Sequence, residues 1–290
     1  MSKIFTRTYR ARYSDINANE QLAPADFARY IVDTAYDWAE ILGLGVKVSE
    51  ELGLYWIVRE TEIQFFESLH FMEEFDFTIW MVEWKRVRGT RAFVVKHKSN
   101  GVTIAQGVQQ IACMDSNTQR PTSPPEDLIN NFRVDAPQEV PSQRFPRIPA
   151  LAEKSLTFQL KVAWQDVDTF DMVNNAVYIA YAEEAVTQLF ATAGWSPMEL
   201  KTHRLARVIR RLHIQYQTPA VWGDTLNLTV FSLQLDAMRG SLYVDMRRAT
   251  DRAAIASCIL DWGLIDRGSG EVHALPESLA SALMNTIIND

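Results

Sequence analysis

At 290 residues the chain has room for two domains, and 29 basic against 36 acidic side chains give it a net charge of -7. That balance disfavours a general nucleic-acid binder, which needs a basic excess to neutralise phosphates. No apolar run of about 18 residues is available to cross a membrane, and the opening MSKIFTRTYRARYSD lacks the apolar core expected of a signal peptide.

In chain order, a strand is expected through Phe5, Tyr9, Ala11 and Tyr13, then a loop from Ser14 to Ala23. A helix begins near Pro24, because proline suits a first helical turn, and runs through Phe27, Ile31, Ala35, Trp38, Ala39 and Leu42 to Gly43. Four β-type runs follow: Tyr55 to Phe66, Phe75 to Val87, Thr90 to Lys98 and Val102 to Met114. Arg88-Gly89 and Asn100-Gly101 read as the turns between the last three, which are then antiparallel neighbours. From Glu126 to Lys154, Pro137, Pro141, Pro146 and Pro149 predict an extended tether with no core of its own.

Beyond the tether, Phe158, Leu160, Val162 and Trp164 alternate with Gln159 and Lys161, the period of a half-buried strand. A polar loop carries Asp166, Asp168 and Asp171. Asn174 and Asn175 can cap the helix after it, where Tyr178, Ile179, Ala182, Ala185, Val186, Leu189 and Phe190 recur at helical spacing. Strands are expected over Ala206 to Tyr216, Thr225 to Leu235, Ser241 to Arg248 and Ala253 to Ile265. A terminal helix from Pro276 to Asn289 has Leu279, Leu283 and Ile287 on one face.

The two series are one series repeated. At a shift of 151 positions Asp15 falls on Asp166, Tyr30 on Tyr181, Gly43 on Gly194 and Arg59 on Arg210. In the same register Arg88-Gly89 falls on Arg239-Gly240, Asp115 on Asp266, and Pro125-Glu126 on Pro276-Glu277. One ungapped register over the whole chain marks a duplication. A long helix packed on an antiparallel sheet, twice over, is an α+β arrangement.

Asp166 and Asp168 either organise their turn through hydrogen bonds to the backbone or supply an acid for catalysis. Glu183 and Glu184 read as a solvated helix face. Two basic runs, His203, Arg204, Arg207, Arg210 and Arg211, and Lys85, Arg86, Arg88 and Arg91, belong either to charged strand faces or to a surface for phosphates or an acidic carrier. Five histidines are scattered without ligand spacing, so neither metal nor cofactor is expected. Cys113 and Cys258 form no disulfide framework, which fits a reducing, cytoplasmic compartment.

The stretch WQDVDTFDMVNNAVY, through Asp166, Asp168, Val173, Asn175 and Tyr178, resembles the motif of the hotdog-fold thioesterase superfamily, which includes 4-hydroxybenzoyl-CoA, acyl-CoA and acyl-carrier-protein thioesterases. The resemblance covers both halves and implies two tandem hotdog domains in an intrachain pseudo-dimer: residues 1–132, a linker over 133–153, and residues 154–290. It implies that Asp168 is the catalytic carboxylate, as nucleophile or general base, in a site at the interface of the repeats. Asn175, Tyr178, Phe170, Met172 and Asn17 become candidate substrate contacts.

The departures are equally specific. Plant acyl-carrier-protein enzymes carry an asparagine and a histidine where this chain has Phe170 and Met172, and a glutamate near the place of Pro219. The first copy holds Asn17 at the aspartate position, and an amide is no base at neutral pH. The resulting expectation is an acyl-CoA or acyl-carrier-protein thioesterase with one working copy. A hotdog hydratase or dehydratase and a non-catalytic acyl-thioester binder are the alternatives, and homodimer formation through exposed sheet edges stays open.

Overall fold

The structure, a computed structural model, describes residues 3–147 and 155–284. The chain divides into two compact units, Met1–Gln143 and Arg144–Asp290, with the division inside the proline-rich stretch. Positions 148–154, Pro149 among them, and the end of the expected terminal helix with Ile287 lie outside the described residues.

The first unit runs β1 (Phe5–Arg10), a 3-10 turn (Tyr13–Asp15), α1 (Pro24–Ile41), α2 (Val46–Glu51), β2 (Leu54–Phe65), β3 (Glu74–Lys85), β4 (Arg88–His97), β5 (Thr103–Asp115) and α3 (Glu126–Phe132). Its strands pair antiparallel in the order β1-β3-β4-β5-β2. Along α1, Phe27, Ile31, Ala35 and Trp38 recur at helical spacing and form one face. They pack on Phe75, Phe77, Ile79 and Phe93 from alternate positions of β3 and β4.

The second unit runs β6 (Leu156–Lys161), a 3-10 turn (Trp164–Asp166), α4 (Asn175–Thr192), α5 (Pro197–Thr202), β7 (Leu205–Tyr216), β8 (Thr225–Leu235), β9 (Arg239–Arg248), β10 (Ala254–Asp266), β11 (Val272–His273) and α6 (Glu277–Met284). Here the order is β6-β8-β9-β10-β7, with β11 on β10. Every element from β1 to α3 reappears with its first residue 151 positions later, as Pro24 of α1 does at Asn175 of α4. Even the irregularities repeat: Arg59 bulges from β2 and Arg210 from β7. No helix among the described residues is long and apolar enough to cross a membrane.

Three expectations need correction. The opening strands stop at Arg10 and Lys161 and do not reach Tyr13 or Trp164. Asp15 Oδ2 accepts the Arg12 N–H at 3.2 Å and Asp166 Oδ2 the Ala163 N–H at 3.0 Å, which rolls the chain into the 3-10 turns and leaves Trp164 68% exposed. The turn between β3 and β4 is Arg86-Val87, with Arg86 left-handed at φ 53°, because Arg88 and Gly89 already pair with Lys85 and Trp84. Gly89 is needed there for space: a Cβ would meet Trp84 Cε3 at 2.3 Å.

The third correction is α3 within the expected tether. Pro125 precedes an acidic first turn, Glu126-Asp127, so the segment starts as a helix before the prolines intervene. It docks Phe132 edge-on against Trp38 at 4.8 Å, and Asn131 Nδ2 donates to the Leu42 carbonyl at 3.1 Å. The rest of the tether lends side chains to clusters on the two units. Val140 packs with Trp80 and Ala92, whose outward sheet face is also covered by Val134. The Trp80 indole donates to the Gln138 carbonyl at 2.9 Å, and Phe145 packs on Phe231, Tyr243 and Ile259.

Gly89→Ala forces the Trp84 indole off its site, an overpacking that costs about 1–3 kcal/mol. Chemical denaturation checks this; a variant as stable as the parent means that the β3–β4 corner has slack.

Candidate functional site around Asp168

The loop from Val167 to Asn174 joins the 3-10 turn to α4 and is closed on itself. Val167 bridges Val173, the Asp168 N–H donates to the Met172 carbonyl at 2.9 Å, and the Asp171 N–H donates to the Asp168 carbonyl at 3.1 Å. Asp171 takes the left-handed conformation at φ 58°. Asp168 Oδ1 accepts the Phe170 N–H at 3.0 Å, an Asx-type turn.

The two aspartates of the motif do different work. Asp166 Oδ2 accepts from the Tyr181 hydroxyl at 2.6 Å and from Ala163 N–H, so it ties the turn to α4. Its counterpart Asp15 accepts from Tyr30, Arg12 and Ser14. Burial pushes Asp15 up, yet the hydrogen bonds outweigh it and hold this carboxyl below its ordinary value. Asp168 goes the other way: burial raises it, Asp171 adds to the rise, and hydrogen bonds from Phe170 and Asn174 oppose without cancelling. Asp166 is thus a structural brace, whereas Asp168 is a partly buried carboxyl with a raised proton affinity.

Asn174 is the cap of α4, its side chain accepting the Ala176 N–H at 3.0 Å. Asn175, expected as a cap, is the first helical residue instead, and its carbonyl accepts the Tyr216 hydroxyl at 3.2 Å. Tyr178 is buried one turn on. Its hydroxyl oxygen accepts the Ala220 N–H at 2.9 Å, while the Ala220 carbonyl accepts the Val173 N–H at 2.9 Å. Ala220 therefore clamps the acid loop and α4 to the β7–β8 connection. Arg248 holds that connection in turn, donating to Asp224 at 2.9 Å and to the Pro219 carbonyl at 2.9 Å. Burial pushes the Tyr178 phenol up to about 12, and Asp168 lies near enough to add to the rise.

The expected contacts sort as follows. Asp168 and Tyr178 are brought near each other, Asn175 takes part through its carbonyl on Tyr216, and Met172 closes the loop through its backbone. Phe170 also contributes its N–H, while its side chain stands 38% exposed. Asn17 holds the equivalent loop of the first unit, accepting from the Asn19 N–H at 2.9 Å. Of the basic runs, Arg207 turns inward over the Phe190 ring and donates to Thr187, and Arg91 turns inward to Gln109, so neither run is one surface patch. Glu183 is partly buried and only Glu184 is exposed.

Asn174 caps as expected, and the residues not anticipated are Tyr216 and Ala220. A signal for the tyrosine was present in the repeat. Tyr178 stacks edge-on with Tyr216 at 5.8 Å, where the first unit has Phe27 against Phe65 at 5.2 Å. The second copy alone carries hydroxyls at both positions, together with the acid.

The second half, residues 162–283, matches the model of the thioesterase-like superfamily, and residues 2–132 match that of the acyl-ACP thioesterase N-terminal domain. The chain is 27% identical over 132 residues to the long-chain acyl-CoA thioesterase FadM of Escherichia coli (strain K12), covering 43% of this chain and 94% of that protein. Among solved structures, an acyl-ACP thioesterase from Bacteroides thetaiotaomicron superposes with a TM-score of 0.73 at 19% identity, covering 90% of this chain and 100% of the other. The 12:0-ACP thioesterase from Umbellularia californica gives a TM-score of 0.72 at 14% identity over 90% of this chain and 98% of the other. At these identities the superpositions speak to the fold alone. By the family matches the first half of the chain is similar to the acyl-ACP thioesterase N-terminal domain and the second half to the thioesterase-like superfamily.

Proposed function

We propose that the chain hydrolyses acyl thioesters carried on coenzyme A or acyl carrier protein, with Asp168 as general base. The observation that carries this reading is the raised proton affinity of a partly buried carboxylate that the Phe170 N–H holds in place at Oδ1, which suits the group to take a proton from water. The resulting hydroxide adds to the thioester carbonyl. Collapse of the tetrahedral adduct breaks the C–S bond, and the leaving thiolate takes up the proton held by Asp168. Tyr178, with its oxygen engaged by Ala220, keeps its phenolic proton as a donor beside the acid. The positive end of the 18-residue α4 adjoins the loop and favours the growing oxyanion.

The comparison between copies supports the same reading. Asp168, Tyr178 and Tyr216 correspond to Asn17, Phe27 and Phe65, so the first unit keeps the scaffold and lacks the carboxyl and both hydroxyls. The family relationship supports the substrate class, and a binder without turnover is the competing outcome.

Thiol release from a panel of acyl-CoA and acyl-carrier-protein substrates tests the proposal. Asp168→Asn is expected to lower kcat/KM by roughly 100- to 10,000-fold, and Asn17→Ala to leave it unchanged. Turnover that survives in Asp168→Asn removes Asp168 from the mechanism, and saturable binding without thiol release by the parent removes hydrolysis.

The pKa direction also predicts a stability effect. A carboxyl raised on folding binds its proton more tightly in the native state, so its ionisation costs stability as pH rises from the unfolded value through the folded one. Asp168→Asn is therefore expected to melt higher than the parent at neutral pH, with the difference shrinking in acid. A neutral-pH loss of stability in that variant contradicts the assignment of Asp168 as a strained acid.

A further inference from the structure

The connection between β7 and β8 carries one peptide group that is held from both ends. Arg248 Nη2 donates to the Pro219 carbonyl at 2.9 Å, and the N–H of the same peptide, that of Ala220, donates to the Tyr178 hydroxyl oxygen at 2.9 Å. Guanidinium, peptide and phenol thus form an unbroken chain of donors and acceptors. The arginine side chain is only 18% exposed, and its other nitrogens are engaged: Nε donates to Asp224 Oδ2 at 2.9 Å and Nη1 to Asp251 Oδ2 at 3.0 Å. Its planar fork is therefore fixed against the carbonyl.

The first unit shows that the fold does not need this chain. At the shift of 151 positions Arg248, Pro219, Ala220 and Tyr178 fall on His97, Ser68, Leu69 and Phe27. The backbone brace survives there: the Leu22 N–H donates to the Leu69 carbonyl at 2.8 Å, as that of Val173 does to the Ala220 carbonyl at 2.9 Å. The turn survives too, with Glu73 accepting the His70 N–H at 2.8 Å where Asp224 accepts the Val221 N–H at 3.1 Å. Guanidinium and phenol are both absent from the copy that holds Asn17, and both present in the copy that holds Asp168.

We propose that Arg248 is a positioning residue for hydrolysis, acting on Tyr178 through the Pro219–Ala220 peptide; this rests on the proposed hydrolysis with Asp168 as base. A cation on a carbonyl oxygen draws electron density along the peptide and makes its N–H a stronger donor, by about 10–30% for each bond in such a chain. The Tyr178 oxygen that accepts this N–H gives up density in turn, so its O–H donates more strongly to the carboxylate or to the developing oxyanion. At Tyr178 burial raises the phenol most and the Ala220 N–H opposes it; Asp168 and Asp224 add to the rise, and Arg248 lowers it. Through space Asp224 offsets its own partner Arg248, which leaves the peptide as the route by which the cation reaches the phenol.

Two measurements test this coupling. Without substrate, NMR of the full chain with tyrosine isotopically labelled at Cζ reads the phenol directly, its signal identified by loss in Tyr178→Phe. Arg248→Gln, which keeps an amide donor and removes the charge, is expected to move that signal away from the phenolate position. Asp224→Asn, which leaves the arginine's charge unopposed, is expected to move it the other way, whereas a mere loosening of the turn moves both variants alike. With acyl-CoA, Arg248→Gln is expected to lower kcat by about tenfold with KM little changed, and by no more than about twofold in a Tyr178→Phe background. An unmoved signal in folded Arg248→Gln, shifts of one sign in both variants, or an equal kcat loss in both backgrounds overturns the proposal. If Arg248→Gln does not fold, the sign of the Asp224→Asn shift decides. A parent that releases no thiol removes the hydrolysis reading, and the tyrosine signal still decides whether Arg248 acts on Tyr178.

Discussion

The hydrogen bond from a helix tyrosine to the first aspartate of each loop is the constraint on which the rest depends. Tyr181 to Asp166 and Tyr30 to Asp15 bind the 3-10 turn to the second turn of the central helix in both units. A buried carboxylate accepting several donors is expensive to leave unpaired, so breaking the tie releases both the strand end and the helix start. With the turn fixed, the loop from position 167 has one way to reach the cap at Asn174, and its acid is carried to a defined place. The brace is present in both copies; only the residue it positions differs.

That difference follows a consistent logic. In the second unit the polar groups gather at the N-terminal end of α4: the raised carboxyl of Asp168, the buried phenol of Tyr178, and the Tyr216 hydroxyl on the Asn175 carbonyl. Across its sheet Leu212, Leu260 and Leu242 are paired side by side. In the first unit Asn17, Phe27 and Phe65 neutralise the loop end, and Thr61, Gln109 and Arg91 hold the places of those leucines. Duplicated domains share a backbone plan, and the functional differences are in the few positions where one copy spends stability on a buried charge or hydroxyl that the other does without.

Much of this was legible in the residues. The shift of 151 positions survives as a shift of whole elements, because hydrophobic period, capping residue and bulge are local properties that a duplication copies together. What was misread was decided by single side chains acting over short range. Alternation alone continues a strand through Trp164, but the Asp166 carboxylate captures Ala163 N–H and ends it. Arg88-Gly89 looks like a turn until the size of Trp84 explains why glycine sits within a strand. Prolines hid α3, although the repeat already aligned its start with that of α6. Asp168 and Tyr178 were visible as a motif, whereas Ala220 could not be, since its part is played by backbone N–H and C=O that carry no sequence signature.

The pH dependence of kcat/KM for acyl-CoA hydrolysis tests the central claim most directly. If Asp168 is the base, activity falls along a single acidic limb whose midpoint lies above the ordinary carboxylate value, in keeping with burial of that group. A profile that stays level through the carboxylate range, or one that breaks at the ordinary histidine value, places the proton acceptor elsewhere.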